Sequence, residues 1–181
     1  ELPVECEVLD AEGKILTPGF LDQHVHITGG GGEGSFHTRT PELQMSELVE
    51  NGITTVVGLL GTDGITRSVD NLYAKTRVLC EEGVSAYMLT GAYGYPSPTL
   101  TGEIDRDIVF VKEILGVKLA ISDHRAPNVT EDQLIQIASK ARVAGMLSGN
   151  QALWCFIWEM TRLVWLRYSG HWRRVLFPYG F

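Results

Sequence analysis

The sequence is poor in cysteine, and its three cysteines lie far apart without a CxxC pair. An odd number at this spacing argues against a disulfide framework and favours a reducing, cytoplasmic setting. No apolar run reaches the roughly 18 residues that a bilayer span needs, so no membrane partner is expected. A net charge of −7 is opposite to the basic surface of nucleic-acid-binding proteins. The G-x-S-x-G nucleophile elbow is also absent, which disfavours a serine hydrolase.

The chain also lacks an initial Met and a secretory signal, because it opens on Glu1-Leu2-Pro3. We interpret this opening as a missing N-terminal piece. What the sequence does contain is an alternation of four strand-like and four helix-like runs. The predicted strands are Ile15–Ile27, Thr54–Leu60, Ser85–Thr90 and Val117–Ser122, and the predicted helices are Pro41–Asn51, Ser68–Glu82, Glu103–Leu115 and Glu131–Ala144.

The predicted strands are nearly continuous apolar runs, which is typical of parallel strands that are covered on both faces. Repeated βα units therefore predict a parallel sheet, either open and doubly wound or closed as a barrel, and periodicity alone does not choose between them. A closed (β/α)8 barrel needs roughly 250 residues, so half of it would be missing here.

Composition changes near residues 148–150. All four tryptophans lie beyond this point, and residues 150–181 carry a net charge of +3. The βα alternation also stops there. One interpretation is a basic, aromatic segment that touches a membrane surface. The other interpretation is a tail that was never selected for this fold, as after a frameshift. It is favoured because the apolar residues of the tail do not recur at helical spacing.

The strongest chemical signal is the His24-Val25-His26 motif at the end of the first predicted strand. Residues i and i+2 of a strand project to the same face, so both imidazoles can reach one metal ion. Imidazole is a ligand that zinc favours. The alternative is a pair of polar residues that close a strand. The position favours metal binding, because barrel active sites lie at the C-terminal ends of strands.

A glycine run containing Glu33 follows directly. It matches G-x-G-x-x-G formally, but no helix opens at once, which argues against dinucleotide binding. Glycines instead let the backbone approach a ligand closely. Glu33 could hold an ammonium group or could be a solvated loop charge.

Four further residues lie in or after the later strands. Lys118 falls inside an apolar strand, where it is either ion-paired or a neutral amine able to take up CO₂. Arg125 suits bidentate carboxylate recognition or a surface salt bridge. Thr62 and Tyr93 can donate hydrogen bonds or can serve as turn and packing residues.

Five separated blocks resemble the amidohydrolase superfamily, and within it the isoaspartyl (β-aspartyl) dipeptidases. They are PGFLDQHVH, the glycine run with Glu33, VGLLGTD, LTGAY and GVKLAISDHR, and they cover about residues 8–149 in family order. The resemblance implies the first four βα units of a metal-dependent hydrolase (β/α)8 barrel. Residues 1–16 would be a remnant of a small β domain, 17–149 a partial barrel and 150–181 a non-homologous Trp/Arg-rich tail.

The resemblance also implies a mechanism and its residues. Two zinc ions would be held by His24, His26 and carboxylated Lys118, and a zinc-bound hydroxide would hydrolyse a β-aspartyl dipeptide. Glu33 would bind the α-amino group with help from Thr62, Tyr93 would stabilise the oxyanion, and Arg125 would bind a carboxylate. The full-length family is expected to be homo-oligomeric.

The chain departs from the family after Gly149. The two histidine ligands of the fifth and sixth strands and the catalytic aspartate of the eighth are missing, so we expect this polypeptide alone to be inactive. Alternatives are another amidohydrolase, such as a D-aminoacylase or a dihydropyrimidinase-like enzyme, and an inert fragment or oligomerisation module that uses the aromatic tail.

Overall fold

Strands and helices alternate along the chain in the computed structural model, which describes residues 7–126, 129–149 and 152–158. The strands are β1 (Phe20–Val25), β2 (Ile53–Gly58), β3 (Ser85–Gly91), β4 (Ile114–Ser122) and β5 (Leu153–Trp158). The helices are α1 (Met45–Glu50), α2 (Val69–Glu81), α3 (Ile104–Phe110) and α4 (Glu131–Ser148), with a 3-10 turn at Phe36–Thr38. No helix in the described ranges is both long and apolar enough to cross a bilayer.

All five strands are parallel and lie in the order β1-β2-β3-β4-β5. A doubly wound sheet reverses its strand order at a switch point, and this sheet does not. The sequential order is that of a barrel wound in one direction, of which five strands form a curled, open part. The C-terminal ends of the strands consequently meet at one edge, where sequence analysis placed the candidate site.

Helix α2 lies within the predicted range Ser68–Glu82 and packs one stripe of side chains against this sheet. Val69, Leu72 and Leu79 are at most 2% exposed, and the Ser68 hydroxyl caps the helix by accepting a hydrogen bond from the Asn71 N–H. Helix α4 also begins as predicted, since Thr130 and Gln133 form a reciprocal capping box. Local signals therefore locate both long helices.

The predicted first helix begins four residues too early. Thr40, the residue before the predicted start, caps no helix, and its Oγ1 accepts the Gly30 N–H at 2.7 Å. Helix α1 starts at Met45 behind a Gln44 cap. The predicted first strand is also too long: Ile15 and Leu16 are at least 90% exposed and lie outside β1. Residues 7–16 form no strand, so a small-domain remnant there stays a prediction.

The predicted third helix is too long at its end. Helix α3 stops at Phe110, and Ile114 already belongs to β4, where it pairs with Met88 and is 1% exposed. Pairing with β3 outweighs the local helical pattern in these residues.

The sheet extends further than the sequence analysis predicts. The expectation that the βα alternation stops at residue 149 is wrong, because β5 pairs with β4 from Gly116↔Leu153 onward. Gly116 permits this approach, since a Cβ there would overlap Leu153 O. The origin of residues 150–181 stays a prediction, and most of that segment lies outside the described residues.

Candidate active site

The two histidines of the His-x-His motif lie side by side at the end of β1. Their ring centroids are 5.6 Å apart and the ring planes are inclined by 75°. Burial, followed by the nearby Lys118 charge, lowers the pKa of His24. Burial also lowers the pKa of His26, and it outweighs the opposing hydrogen bond to Leu59 O. Both imidazoles are thus biased towards the neutral form that a metal requires.

His26 has its ring orientation fixed by the neighbouring strand. Its Nδ1 lies 3.0 Å from Leu59 O, just beyond the end of β2. Donation from Nδ1–H to this carbonyl leaves Nε2 with its lone pair free. A backbone carbonyl is one of the groups that commonly accept this hydrogen bond from a metal-binding histidine.

Lys118 is fully buried within β4, with 0% of its surface exposed. Its Nζ donates to Leu60 O. Burial lowers the pKa of Lys118 to about 8, which increases the neutral amine fraction near neutral pH. The lysine lies close enough to both histidines for its charge to lower the pKa of each.

Tyr93 follows β3 and lies between two cationic groups. Lys118 Nζ is 5.1 Å from its ring centroid, and Arg125 Cζ is 5.2 Å from it. Arg125 Nη2 also donates to the Tyr93 hydroxyl oxygen at 3.2 Å. The phenol thus lies between the buried lysine and Arg125.

Glu33 and Arg125 form the polar side of the site. Arg125 Nη1 donates to both Glu33 carboxylate oxygens at 3.0 Å, and Thr62 Oγ1 donates to Glu33 Oε1 at 2.9 Å. Hydrogen bonds from Arg125 and then Thr62 lower the pKa of Glu33. The glycine-rich loop therefore presents a carboxylate that is ionised at neutral pH.

Asp123 fixes the other side of the Arg125 guanidinium. Its side chain is 2% exposed, and it accepts Arg125 Nε at 2.8 Å and Nη2 at 2.6 Å. These bonds lower the pKa of Asp123 to about 2 and raise that of Arg125. Arg125 is thus oriented by a buried carboxylate and reaches Glu33 with its remaining nitrogen.

A cavity of about 230 Å³ opens among these groups. Its lining includes Glu33, Thr62, Tyr93 and Arg125, together with His26 and the backbone of Gly29–Gly31. The structure therefore brings all seven sequence-predicted site residues to one end of the sheet. Their individual roles stay predictions.

Three residues near the site were missed by sequence reasoning. Cys155 on β5 pairs in register with Lys118, and its Sγ lies 3.7 Å from His24 Nδ1. Arg67 and Asp63 line the cavity. The Leu-Leu-Gly-Thr-Asp run could have indicated Asp63, whereas nothing in the sequence marked Arg67 as buried.

The side chains at this end of the sheet include donor types that zinc prefers. Two imidazoles biased to the neutral form, a buried amine and a nearby thiol fit the nitrogen and sulfur preference of zinc. Within residues 7–126, 129–149 and 152–158, however, no three His, Cys, Asp or Glu side chains are grouped so as to hold a metal. The described residues therefore fit part of a metal site.

The chain is similar to two solved structures of β-aspartyl dipeptidase from thermophilic, keratin-degrading Fervidobacterium islandicum AW-1. One is 51% identical with a TM-score of 0.85, over 89% of this chain and 44% of that chain. The other, in complex with a β-Asp-Leu dipeptide, is 53% identical with a TM-score of 0.75, over 77% and 38%.

Shorter matches link the chain to curated enzymes, while no family model matches it. A dihydroorotase of Staphylococcus epidermidis RP62A is 36% identical over 66 residues, which is 36% of this chain and 15% of that protein. An imidazolonepropionase of Rhizobium rhizogenes is 28% identical over 133 residues, which is 68% and 31%. The resemblance to β-aspartyl dipeptidases and the incomplete barrel are thereby confirmed. The chain spans less than half the length of each of these relatives.

Proposed function

Because this chain is a partial homologue of amidohydrolases, with β-aspartyl dipeptidases as its structural neighbours, we propose that it carries the substrate-binding side of a β-aspartyl dipeptide hydrolase. The observation that supports this most directly is the Glu33–Arg125 pair, which lines one cavity with His26 and with Tyr93, whose ring centroid lies 5.1 Å from Nζ of buried Lys118. A β-aspartyl dipeptide carries both an ammonium and carboxylates, and this site presents a group of opposite charge for each.

In this proposal the substrate binds between Glu33 and Arg125, which are paired with each other in its absence. Glu33 exchanges part of its contact with Arg125 for the substrate α-ammonium, and Thr62 keeps the carboxylate oriented. Arg125, still held by Asp123 through two nitrogens, offers Nη1 to a substrate carboxylate. Binding of a charged substrate thus replaces one ion pair with two.

Tyr93 is proposed to polarise the scissile carbonyl. Its hydroxyl accepts a hydrogen bond from Arg125, which leaves the phenolic proton free to be donated. A positioned donor of this kind stabilises the charge that develops on the carbonyl oxygen.

His24, His26 and carboxylated Lys118 are the residues proposed to hold zinc. When bound, the metal would supply Lewis acidity and lower the pKa of a water molecule. The chain's own residues contribute the neutral imidazoles, the His26–Leu59 orientation and the low-polarity surroundings of Lys118. A reducing, cytoplasmic location and homo-oligomer formation by the whole protein belong to the same proposal.

We further propose that the 181 residues alone do not turn over substrate, because the described residues provide only part of a metal site. The test therefore measures substrate binding and substrate turnover separately. Calorimetry should detect β-Asp-Leu binding, while an amino-acid release assay should detect no Leu. Glu33→Gln should weaken binding by about tenfold or more, since the ammonium loses its charged partner.

The matched control is Glu50→Gln, which neutralises an exposed carboxylate at the end of α1. It should leave binding unchanged. Equal affinity for α-Asp-Leu, or preference for an N-acetyl-D-amino acid or a dihydropyrimidine, would contradict the proposed substrate. Release of Leu at an enzymatic rate would contradict the inactivity of the chain alone.

Metal binding has a readout that does not depend on activity. Cys155 and Cys80 are both half-buried free thiols, but only Cys155 lies beside His24. Zinc should slow maleimide labelling of Cys155 and leave Cys80, whose Sγ donates to Ala86 O, unaffected. Peptide mass spectrometry measures both rates in one sample. Equal protection of both thiols, or protection that persists in His24→Asn/His26→Asn, would argue against this site.

A further inference from the structure

Arg67 is a buried cation that has no place in the proposed chemistry. It is only 5% exposed, although a buried guanidinium is costly unless its donors are satisfied. Its Nε donates to Thr28 O at 3.0 Å and its Nη2 donates to Thr40 O at 3.1 Å. The planar fork of one side chain thus bonds to two backbone carbonyls that are twelve positions apart.

These two carbonyls lie at the two ends of the glycine-rich loop. The loop runs from Gly29 to Arg39 and carries Glu33 near its middle. Its ends are also joined by Gly30 and Thr40, because Thr40 N donates to Gly30 O at 3.0 Å and Gly30 N donates to Thr40 Oγ1 at 2.7 Å. Arg67 therefore closes the base of the loop.

Asp63 adds a contact with Arg39, the last residue of the loop. Asp63 Oδ2 accepts Arg39 Nη1 at 2.7 Å and lies 3.6 Å from Arg67 Nη1. Its other oxygen accepts the backbone N–H groups of Ile65 and Thr66. One carboxylate thus fixes a loop arginine and the buried arginine to the same short turn.

The backbone of Arg67 is itself held in place. It directly precedes Ser68, the capping residue of α2, and that helix buries one face against the sheet. Gly29 leaves the space that the guanidinium needs, since a Cβ at this position would lie 2.9 Å from Arg67 Nη2. A well-packed helix is thereby linked to a loop that has little packing of its own.

We propose that Arg67 is a positioning residue that holds the glycine-rich loop closed, so that Glu33 reaches Thr62 and Arg125. What Glu33 then binds rests on the proposed function, whereas the closure of the loop does not. Arg67 bonds to the backbone at both ends of the loop, whereas Glu33 lies near the middle. Its effect on Glu33 is therefore indirect and passes through the backbone of the loop.

The competing role for Arg67 is direct binding of an anion in the cavity. Arg67 lines the cavity, and its buried Nη1 has no hydrogen-bond partner among the described residues, although Asp63 Oδ2 lies 3.6 Å from it. The Arg67→Lys variant distinguishes the two roles. Lysine keeps the charge but cannot bond two separated carbonyls as a guanidinium does. Arg67→Lys should therefore fail to restore a closed loop, whereas it would largely preserve anion binding.

Hydrogen exchange of the ligand-free chain tests the loop directly. In Arg67→Gln and Arg67→Lys, exchange of the Gly30, Gly32 and Thr40 amides should rise by about tenfold or more. Amides of α4 should exchange as in the parent chain. Arg77→Gln is the matched control, because Arg77 lies on α2 and is paired with Glu113 away from the loop. It should leave the loop amides unchanged.

Arg39→Gln keeps the test informative if the Arg67 variants do not fold. Arg39 is 31% exposed, and its loss should accelerate the same loop amides to a smaller extent. Unchanged loop exchange in a folded Arg67 variant would overturn the proposal. A uniform rise that includes α4, or parent-like loop exchange in Arg67→Lys, would overturn it as well.

Calorimetry with β-Asp-Leu separates this proposal from the proposed function. If the loop opens in Arg67→Gln and dipeptide affinity falls with it, both proposals are supported. If the loop opens and the parent chain does not bind the dipeptide, the positioning role stands and the substrate assignment fails.

Discussion

Among single residues, Asp63 couples the glycine-rich loop to pH. The side-chain hydrogen bond from Thr66, aided by two backbone N–H groups and Arg39, lowers the pKa of Asp63 from 3.8 to about 2. A carboxylate with a depressed pKa stabilises the folded state above its ordinary pKa, and this stabilisation is lost as pH falls from about 4 towards 2. Acid should therefore loosen the attachment of the glycine-rich loop.

Asp63→Asn should remove this contribution. At pH 7 the free energy of unfolding should fall, because the amide cannot pair with Arg39 and Arg67 as a charge does. The difference between parent and variant should shrink as pH approaches 2, where Asp63 is itself protonated. Urea titrations across this range measure both curves. Asp70→Asn, on the exposed side of α2, is the control, and a difference that stays constant with pH would contradict the assignment.

Among secondary-structure elements, those with strong local signals were predictable. The buried stripe of α2 and the capping box of α4 depend on residues close in sequence, so the pattern indicates them directly. The start of α1, the end of α3 and the existence of β5 depend on partners far along the chain. Thr40 bonds to Gly30, and Ile114 pairs with Met88. Composition alone does not reveal such partners.

The candidate site follows the same division. His24, His26 and Lys118 could be brought together from sequence, because parallel strands present their C-terminal ends at one edge. Cys155 could not, since its strand was not predicted. Arg67 was missed because its partners are backbone carbonyls, which carry no residue identity that a sequence pattern could reveal.

At the scale of the whole molecule, the sheet has two edges within the described residues. There β1 pairs only with β2, and β5 only with β4. Phe20 at the start of β1 is 63% exposed and Leu21 is 54% exposed. An unpaired, apolar edge strand is a template for pairing with another chain.

The 181-residue chain should therefore associate as its concentration rises, and Phe20→Lys should shift it towards the monomer. A lysine on an edge strand opposes edge-to-edge pairing by charge repulsion and solvation. Sedimentation velocity over a concentration series measures the shift. Phe110→Lys changes a comparably exposed phenylalanine at the end of α3, and it should have little effect. Equal dissociation by both variants would show that the edge is not responsible.

The match between strand order and chain order also bears on how the protein is made. A growing polypeptide can add each new strand beside the previous one as it leaves the ribosome, without rearranging earlier pairs. The imidazole pair emerges first, Thr62 and Tyr93 follow, and the buried lysine and Arg125 come last. Glu33 therefore remains without its Arg125 partner until 92 further residues have been synthesised.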